Sequence, residues 1–482
     1  MALVARLLLF ALVGACLVGL AQPPVPSNDG APPGLPPRSW ACYPTCILPQ
    51  SIVAADLDAD GWLDLALACA TGTVWTYHNN DANGVFLPPP WAAFALPPSP
   101  SKLAVGQFRA GVPIFGFDGF LDIAVLDGLS GALNGISGAA IPAGPWAFPP
   151  AAIGPGADVA SGNLNNDSLT DLVVADGVNL TIFLSPGYGP PLVIPLPGAG
   201  QVAIADFDGN GWGDIAVSVG SAVLVYLNTA PVTGVPGFAP PLGPVGPVLY
   251  DNPPTDMAVG DFNADGLPDL VVIGNAQITN LTQGFAEVLL NNVSIGGSAA
   301  FVAAPFVSQG PMSTWGFHAI DVEVLDADRN GRDDFAVANK GSDTVTVFLT
   351  DAIRLAQDNR PWDQDWCLCK DQLTEDLLLI KFKLFKIELQ CGHFPISLTS
   401  GDFDHNGKID LAVALESATE KLDAQKPSCI EIDFDIACGF DERNLPQRFH
   451  PNLTPSPAGM GESQVCPICG ECPPATSEPK KG

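Results

Sequence analysis

The chain has 482 residues and a formal net charge of −31, with 51 Asp plus Glu against only 20 Lys plus Arg. That balance repels nucleic acid and anionic membranes and excludes both as partners. Glycine (50) and proline (48) are abundant yet together fall short of a low-complexity composition, so loop-rich β structure is expected rather than disorder.

The first residues read as an export signal over 1–21. Arg6 supplies a positive n-region, Leu7 to Leu20 is almost wholly apolar, and Gly19, Leu20 and Ala21 suit signal peptidase, which places the mature start near Gln22. Two rivals stay open. A membrane anchor needs roughly 20 apolar residues, more than this run holds; a lipobox would use Val13, Gly14, Ala15 and Cys16. No later segment is apolar enough to span. A Pro-rich stretch follows over 22–45, and the chain is expected to be secreted or held at the cell surface. Twelve cysteines (Cys 12) fit that oxidising compartment. Cys69, in an apolar run, is the candidate buried thiol, while Cys42 with Cys46 and Cys429 with Cys438 are candidate local bridges; Cys367, Cys369 and Cys391 cluster in one insertion.

Over 46–445 a single pattern recurs: an apolar run, then D-x-[DN]-x-[DN]-G-x-x-D, then a second apolar run. The complete copies carry Asp56, Asp58, Asp60 and Asp64; Asp206, Asp208, Asn210 and Asp214; Asp261, Asn263, Asp265 and Asp269; Asp326, Asp328, Asn330 and Asp334; and Asp402, Asp404, Asn406 and Asp410. Another copy, Asn163, Asn165, Asp167 and Asp171, keeps the spacing but has Ser168 for the glycine. The remaining one is broken, beginning at Gln107, Phe108 and Arg109 and ending at Asp118, Gly119 and Asp122.

Such spacing suits a hard cation that takes six to eight oxygens. Side chains at loop positions 1, 3 and 5 point inward together, position 7 offers a carbonyl, and Asp at position 9 closes the shell; glycine at position 6 supplies the positive φ of the turn. Nothing in the set is soft enough to prefer zinc or copper. Calcium is the expected ion, at about five to six per chain. An EF-hand starts with the same letters but requires Glu at position 12 and flanking helices. Position 12 is here Leu67, Val217, Val272, Val337 and Val413, and flanks such as Ser51–Ala55 and Leu65–Cys69 read as strands.

Each copy is followed by a strand such as Asp214–Ser218, a Gly/Ser turn and a strand such as Ala222–Asn228. With the strand before the loop and one more after, each unit supplies four strands, and seven such units arranged radially make an all-β, seven-bladed propeller with the loop between the first and second strand of each blade. Runs such as Val259, Gly260, Asp261, Phe262, Asn263, Ala264, Asp265 and Gly266, or Leu289, Leu290, Asn291 and Asn292, resemble the FG-GAP and VCBS repeats, whose seven-bladed propellers include the head of integrin α subunits. The resemblance covers roughly residues 50 to 440. It implies a calcium ion in the loop of most blades, with incomplete shells in the second and third copies. Family members serve in adhesion, in recognition of proteins or glycans, and as appendages of enzymes, so the fold alone does not select a function.

The sixth unit carries an insertion over 351–395 with Trp362 and Trp366, in which Ile380, Phe382 and Leu384 alternate with Lys381 and Lys383 and predict an added strand pair. It is read either as a binding loop or as a disulfide-stapled embellishment. The tail over 446–482 is expected to be disordered. Its Cys466, Cys469 and Cys472 have metal spacing but lack a fourth ligand other than distant His450, so disulfides are expected there. Asn166, Asn179, Asn280, Asn292 and Asn452 begin N-x-[ST] sequons. The remaining histidines, His78, His318, His393 and His405, read as surface or loop residues, His405 facing solvent; no nucleophile, zincin or P-loop motif is present. The expected function is non-catalytic adhesion or recognition of an extracellular protein or glycan. An enzyme acting on polysaccharide or phosphoester, or a disulfide-linked surface assembly, are the alternatives.

Overall fold

The computed structural model describes most residues between Trp40 and Asp433; outside it lie 1–39, 434–482 and stretches within connections, the longest being 356–376. The expected signal peptide, the cysteine-rich tail, Cys367, Cys369, Cys391, Cys438 and the sequons at Asn280, Asn292 and Asn452 fall outside the described residues. No described helix is long and apolar enough to cross a membrane.

The chain enters with β1 (Trp40–Pro44) and then lays down β2 (Pro49–Ala55), β3 (Asp64–Cys69), β4 (Thr73–Tyr77) and β5 (Ala92–Ala95) as blade one. Blade two is β6 (Pro100–Gly106), β7 (Asp122–Asp127), β8 (Leu133–Ile136) and β9 (Trp146–Ala147); blade three is β10 (Asp158–Gly162), β11 (Asp171–Ala175), β12 (Asn179–Phe183) and β13 (Leu192–Pro195). Blade four is β14 (Ala199–Ala205), β15 (Asp214–Val219), β16 (Ala222–Tyr226) and β17 (Leu242–Val245); blade five is β18 (Asp256–Gly260), β19 (Asp269–Ile278), β20 (Leu281–Asn291) and β21 (Phe306–Phe317). Blade six is β22 (Ala319–Leu325), β23 (Asp334–Asn339), β24 (Thr344–Leu355) and β25 (Leu377–Glu388). Blade seven takes β26 (His393–Gly401), β27 (Asp410–Glu416) and β28 (Cys429–Asp433), and its outer strand is β1, paired from Trp40 opposite Asp433 to Pro44 opposite Cys429. The first strands of successive blades touch in a closed cycle, with β26 returning to β2. The propeller is the seven-bladed one the repeat predicts.

Second strands such as β3, β7 and β23 are buried along their whole length. Neighbouring blades cover both faces, which is why these segments read as unbroken apolar runs instead of alternating ones. Each apolar cluster lies between two neighbouring blades, and the one that closes the ring joins Ala41, Tyr43, Phe403 and Ile430 of blade seven to Leu65 and Tyr77 of blade one. Loop position 2 feeds these seams: Phe207, Phe262 and Phe403 are fully buried.

Three cysteine expectations fail. Cys69 is not a thiol but bonds Cys46, tying the approach to β2 onto the end of β3. This also rules out a Cys42–Cys46 bridge: Cys42 sits on β1 in blade seven and is itself disulfide-bonded. Cys429, expected to bridge Cys438, is instead a reduced thiol buried between blades. Among the described residues, the insertion in blade six contributes no added strand pair. Its alternating segment is β25, the blade's own fourth strand, paired along all of β24 with Phe382 buried against Phe335 and Phe348.

A belt of side chains rings the axis. The residue five positions before loop position 1 is Ser51, Lys102, Asp158, Gln201, Asp256, Asp321 and Ser397 in blades one to seven. Most of these accept the amide of the next blade: Leu103 N–H donates to Ser51, Val202 N–H to Asp158, Val322 N–H to Asp256, Leu398 N–H to Asp321 and Ile52 N–H to Ser397. Lys102 has no acceptor to offer and instead sets its Nζ 3.6 Å from Asp158 Oδ1. Gln201 Oε1 is shielded and has no partner among the described residues.

Candidate metal-binding loops

The Asp-rich loops join first to second strands, and a repeated set of backbone bonds shapes them. In blade one, Asp60 N–H donates to Asp56 Oδ1 and Asp58 Oδ1, Gly61 N–H to Asp56 Oδ2, and Trp62 N–H to Asp60 Oδ1. Blades four, five and six repeat this pattern. Each carboxylate is thus oriented by an N–H while its second lone pairs remain available. Gly61, Gly211, Gly266, Gly331 and Gly407 hold φ between 77° and 94°, as expected for position 6. Sequence reasoning missed that position 4 is left-handed too: Ala59, Asn166, Ala264, Arg329 and His405 have φ of 53° to 60°. No residue preference marks that position, because the loop's hydrogen bonds impose the conformation.

The Asp at position 9 has a double task. Asp64, Asp171, Asp214, Asp269, Asp334 and Asp410 are all fully buried. Oδ2 accepts the position 2 amide, as in Leu57 to Asp64 and Phe207 to Asp214. Oδ1 accepts an amide from the third strand or just beyond it: Asn79 to Asp64, Ser185 to Asp171, Asn228 to Asp214, Asn291 to Asp269 and Thr350 to Asp334. Asn79, Asn228 and Asn291 add a staple no motif predicted. Their Nδ2 groups donate to the position 2 carbonyl of the preceding blade, namely Phe403, Leu164 and Phe207, and to their own position 8 carbonyl.

Carboxylate oxygens converge within 4.8 Å in the sets Asp56, Asp58 and Asp60; Asp206, Asp208 and Asp214; Asp326, Asp328 and Asp334; and Asp402, Asp404 and Asp410. In blade five, Asn263 replaces the position 3 acid, and Asp261, Asp265 and Asp269 keep the loop's hydrogen bonds. Burial pushes the position 9 carboxyls above the usual range, Asp64 to about 6, Asp214 to about 7, Asp269 to about 8 and Asp334 to about 7, with neighbouring acids adding to the rise. A carboxylate cluster with no counter-charge is costly, and a hard cation relieves it. Asp402 Oδ1, shielded and without a hydrogen-bond partner among the described residues, points the same way. The all-oxygen donor set therefore fits a hard divalent ion. Blade three differs: Asn163 Nδ2 donates to the Asp167 carbonyl, Asn165 Nδ2 to Asp167 Oδ2, and Ser185 Oγ to Asp171 Oδ1, so amide and hydroxyl donors stand beside its acids. In blade two, Asp122 is buried with Oδ1 accepting Gly138 N–H, and 109–119 lies outside the described residues.

Neighbouring loops also touch. Arg329 of blade six donates to the Gly407 carbonyl of blade seven, and His405 of blade seven, though exposed, stacks on Trp62 of blade one at 3.6 Å between ring centroids. His78 was read as a surface or loop residue, but its Nδ1 lies 3.1 Å from Asp64 Oδ1 and 3.4 Å from Asp58 Oδ2.

The FG-GAP-like repeat family matches residues 206–272, which span the loop of blade four and that of blade five. No curated protein matches the chain. Among solved structures, that of BBS1N in complex with ARL6DN, soaked with lead, is similar at 10% identity and a TM-score of 0.41, covering 86% of this chain and 97% of that chain. The chain thus carries an FG-GAP-like repeat at residues 206–272 within a closed ring of seven four-stranded blades.

Proposed function

We propose that this protein is a secreted or cell-surface ligand-recognition module, without catalytic activity of its own, that binds an extracellular protein or glycan and is stabilised by calcium in five of its blade loops. The observation that carries the calcium reading is the convergence of carboxylate oxygens within 4.8 Å in the loops of blades one, four, six and seven. Blade five joins them through Asp261, Asp265 and Asp269, whereas the donor amides beside Asp167 favour a hydrogen-bonded loop in blade three. Bound ions act structurally, since ligand that binds only the folded state adds about 2.7 kcal/mol per site at 100 times its Kd. The fold supports recognition through its connections, which are the usual place for function on a rigid scaffold. Metal analysis of the native protein is expected to give about five calcium ions per chain, with a large fall in Tm in excess chelator. A glycan array and a panel of extracellular proteins, probed in calcium and in chelator, test the recognition reading. No bound calcium refutes the first part, and no calcium-dependent ligand refutes the second.

A further inference from the structure

Blade one differs from blades three to six at one position beside the amide that caps the position 9 Asp. The position just before the third-strand amide that caps the position 9 Asp is Leu184, Leu227, Leu290 and Leu349 in blades three to six, but His78 in blade one. Leu227, Leu290 and Leu349 are buried in apolar surroundings. His78 instead turns its imidazole towards the loop, with Nδ1 beside Asp58 Oδ2 and Asp64 Oδ1, and its side chain is only 15% exposed. These three atoms lie within 4.8 Å of one another, beside Asp56 and Asp60 in the complete copy with acids at positions 1, 3 and 5.

The spacing is compatible with a metal ion of the zinc class. Ligand bonds of about 2.0 to 2.2 Å to nitrogen and oxygen, at tetrahedral to octahedral angles, set neighbouring donor atoms about 3.0 to 3.4 Å apart, and the two His78 contacts are 3.1 and 3.4 Å. Imidazole nitrogen also favours zinc, cobalt and nickel over calcium, whose shells are built from oxygen. We propose that the blade-one loop is a transition-metal site, of the zinc class, with His78 Nδ1, Asp58 Oδ2 and Asp64 Oδ1 as ligands. The inference rests on the reading of these loops as cation sites and assigns a different ion to one of them. Coordination through Nδ1 requires the tautomer with its proton on Nε2. Without the metal, Nδ1–H donates to Asp64 Oδ1, and metal uptake by the neutral imidazole shifts that proton to Nε2.

The test uses the full mature chain held in excess calcium, with Co2+ as the spectroscopic probe. About one equivalent of Co2+ is expected to remain bound against calcium, with a visible d–d band and a single paramagnetically shifted imidazole Nε2–H signal in the proton spectrum. His78→Leu, which introduces the residue found in blades three to six, is expected to weaken Co2+ binding at least about ten-fold and to abolish the shifted signal, while His318→Ala, at an exposed histidine outside the loops, leaves both unchanged. Unchanged Co2+ binding in His78→Leu, or Co2+ spread over several loops with no imidazole signal in the native protein, overturns the proposal. Should His78→Leu fail to fold, the native protein's imidazole signal decides. Calcium analysis separates the two readings: five calcium ions with no retained Co2+ sink only this inference, whereas one Co2+ on His78 with no calcium anywhere sinks only the calcium reading.

Discussion

Asn228 illustrates how much one uncharged side chain contributes here. It is fully buried, donates from Nδ2 to the Leu164 and Gly213 carbonyls across a blade seam, and its backbone amide caps Asp214. Asn228→Ala leaves one buried and one partly buried carbonyl without their donor and is expected to cost about 2 to 3 kcal/mol, read as a lower denaturant midpoint. A loss below about 0.5 kcal/mol, the range of ordinary surface substitutions, would show that the seam does not depend on it. The position 4 residues offer the opposite experiment. Ala264 sits at φ 56°, where a Cβ is unfavourable. Ala264→Gly relieves that conformation but adds freedom to the unfolded chain, so a net gain of up to about 1 kcal/mol is expected in calcium. A clear loss of stability would argue against strain at this position.

Among the elements, blade one carries a covalent tie. The Cys46–Cys69 disulfide spans a sequence separation of 23 and anchors the chain between β1, which belongs to blade seven, and β2, which opens blade one. Closing a loop of that length removes about 3 kcal/mol of unfolded-state entropy. The Cys46→Ser, Cys69→Ser double variant should therefore unfold faster and at lower temperature, with its calcium content intact if the loops fold independently of the bridge. Retention of full stability would show that the paired strands β1 and β28 close the ring unaided. Why the pairing escaped sequence reasoning is clear from the residues: Cys69 lies in the run Leu65–Cys69, which looks like plain core, and only the registry of β2 against β3 brings Cys46 beside it.

Across the whole molecule, the belt around the axis brings Asp256, Asp321 and Glu323 together with Lys102 and Asp158, one basic group against four acids. Enclosure in the ring pushes Asp321 up to about 6 and Glu323 up to about 7, while Ser400 holds Glu323 through its backbone and hydroxyl. Carboxyls whose folded pKa is raised stabilise the fold at pH below their unfolded values, and that contribution is lost as pH rises through the folded ones. In saturating calcium, stability from these groups is expected to fall between about pH 4 and pH 7, and Glu323→Gln should flatten the upper part of that fall. A pH profile identical in the variant would exclude Glu323 as a source. Lys102→Met, which removes the belt's basic group, is expected to lower stability further at pH 8. Local chemistry alone determined the repeat, its loop and the strands on either side, because an acidic donor set and a turn are both written in nine consecutive residues. Blade number followed from counting. Tertiary structure decided what depends on neighbours distant in the chain: β1 completing blade seven, β25 serving as an outer strand, Cys46 meeting Cys69, the asparagine staples, His78 reaching its loop and the axial belt. Each of these joins residues whose separation along the chain carries no local signal, and only closure of the ring brings them together.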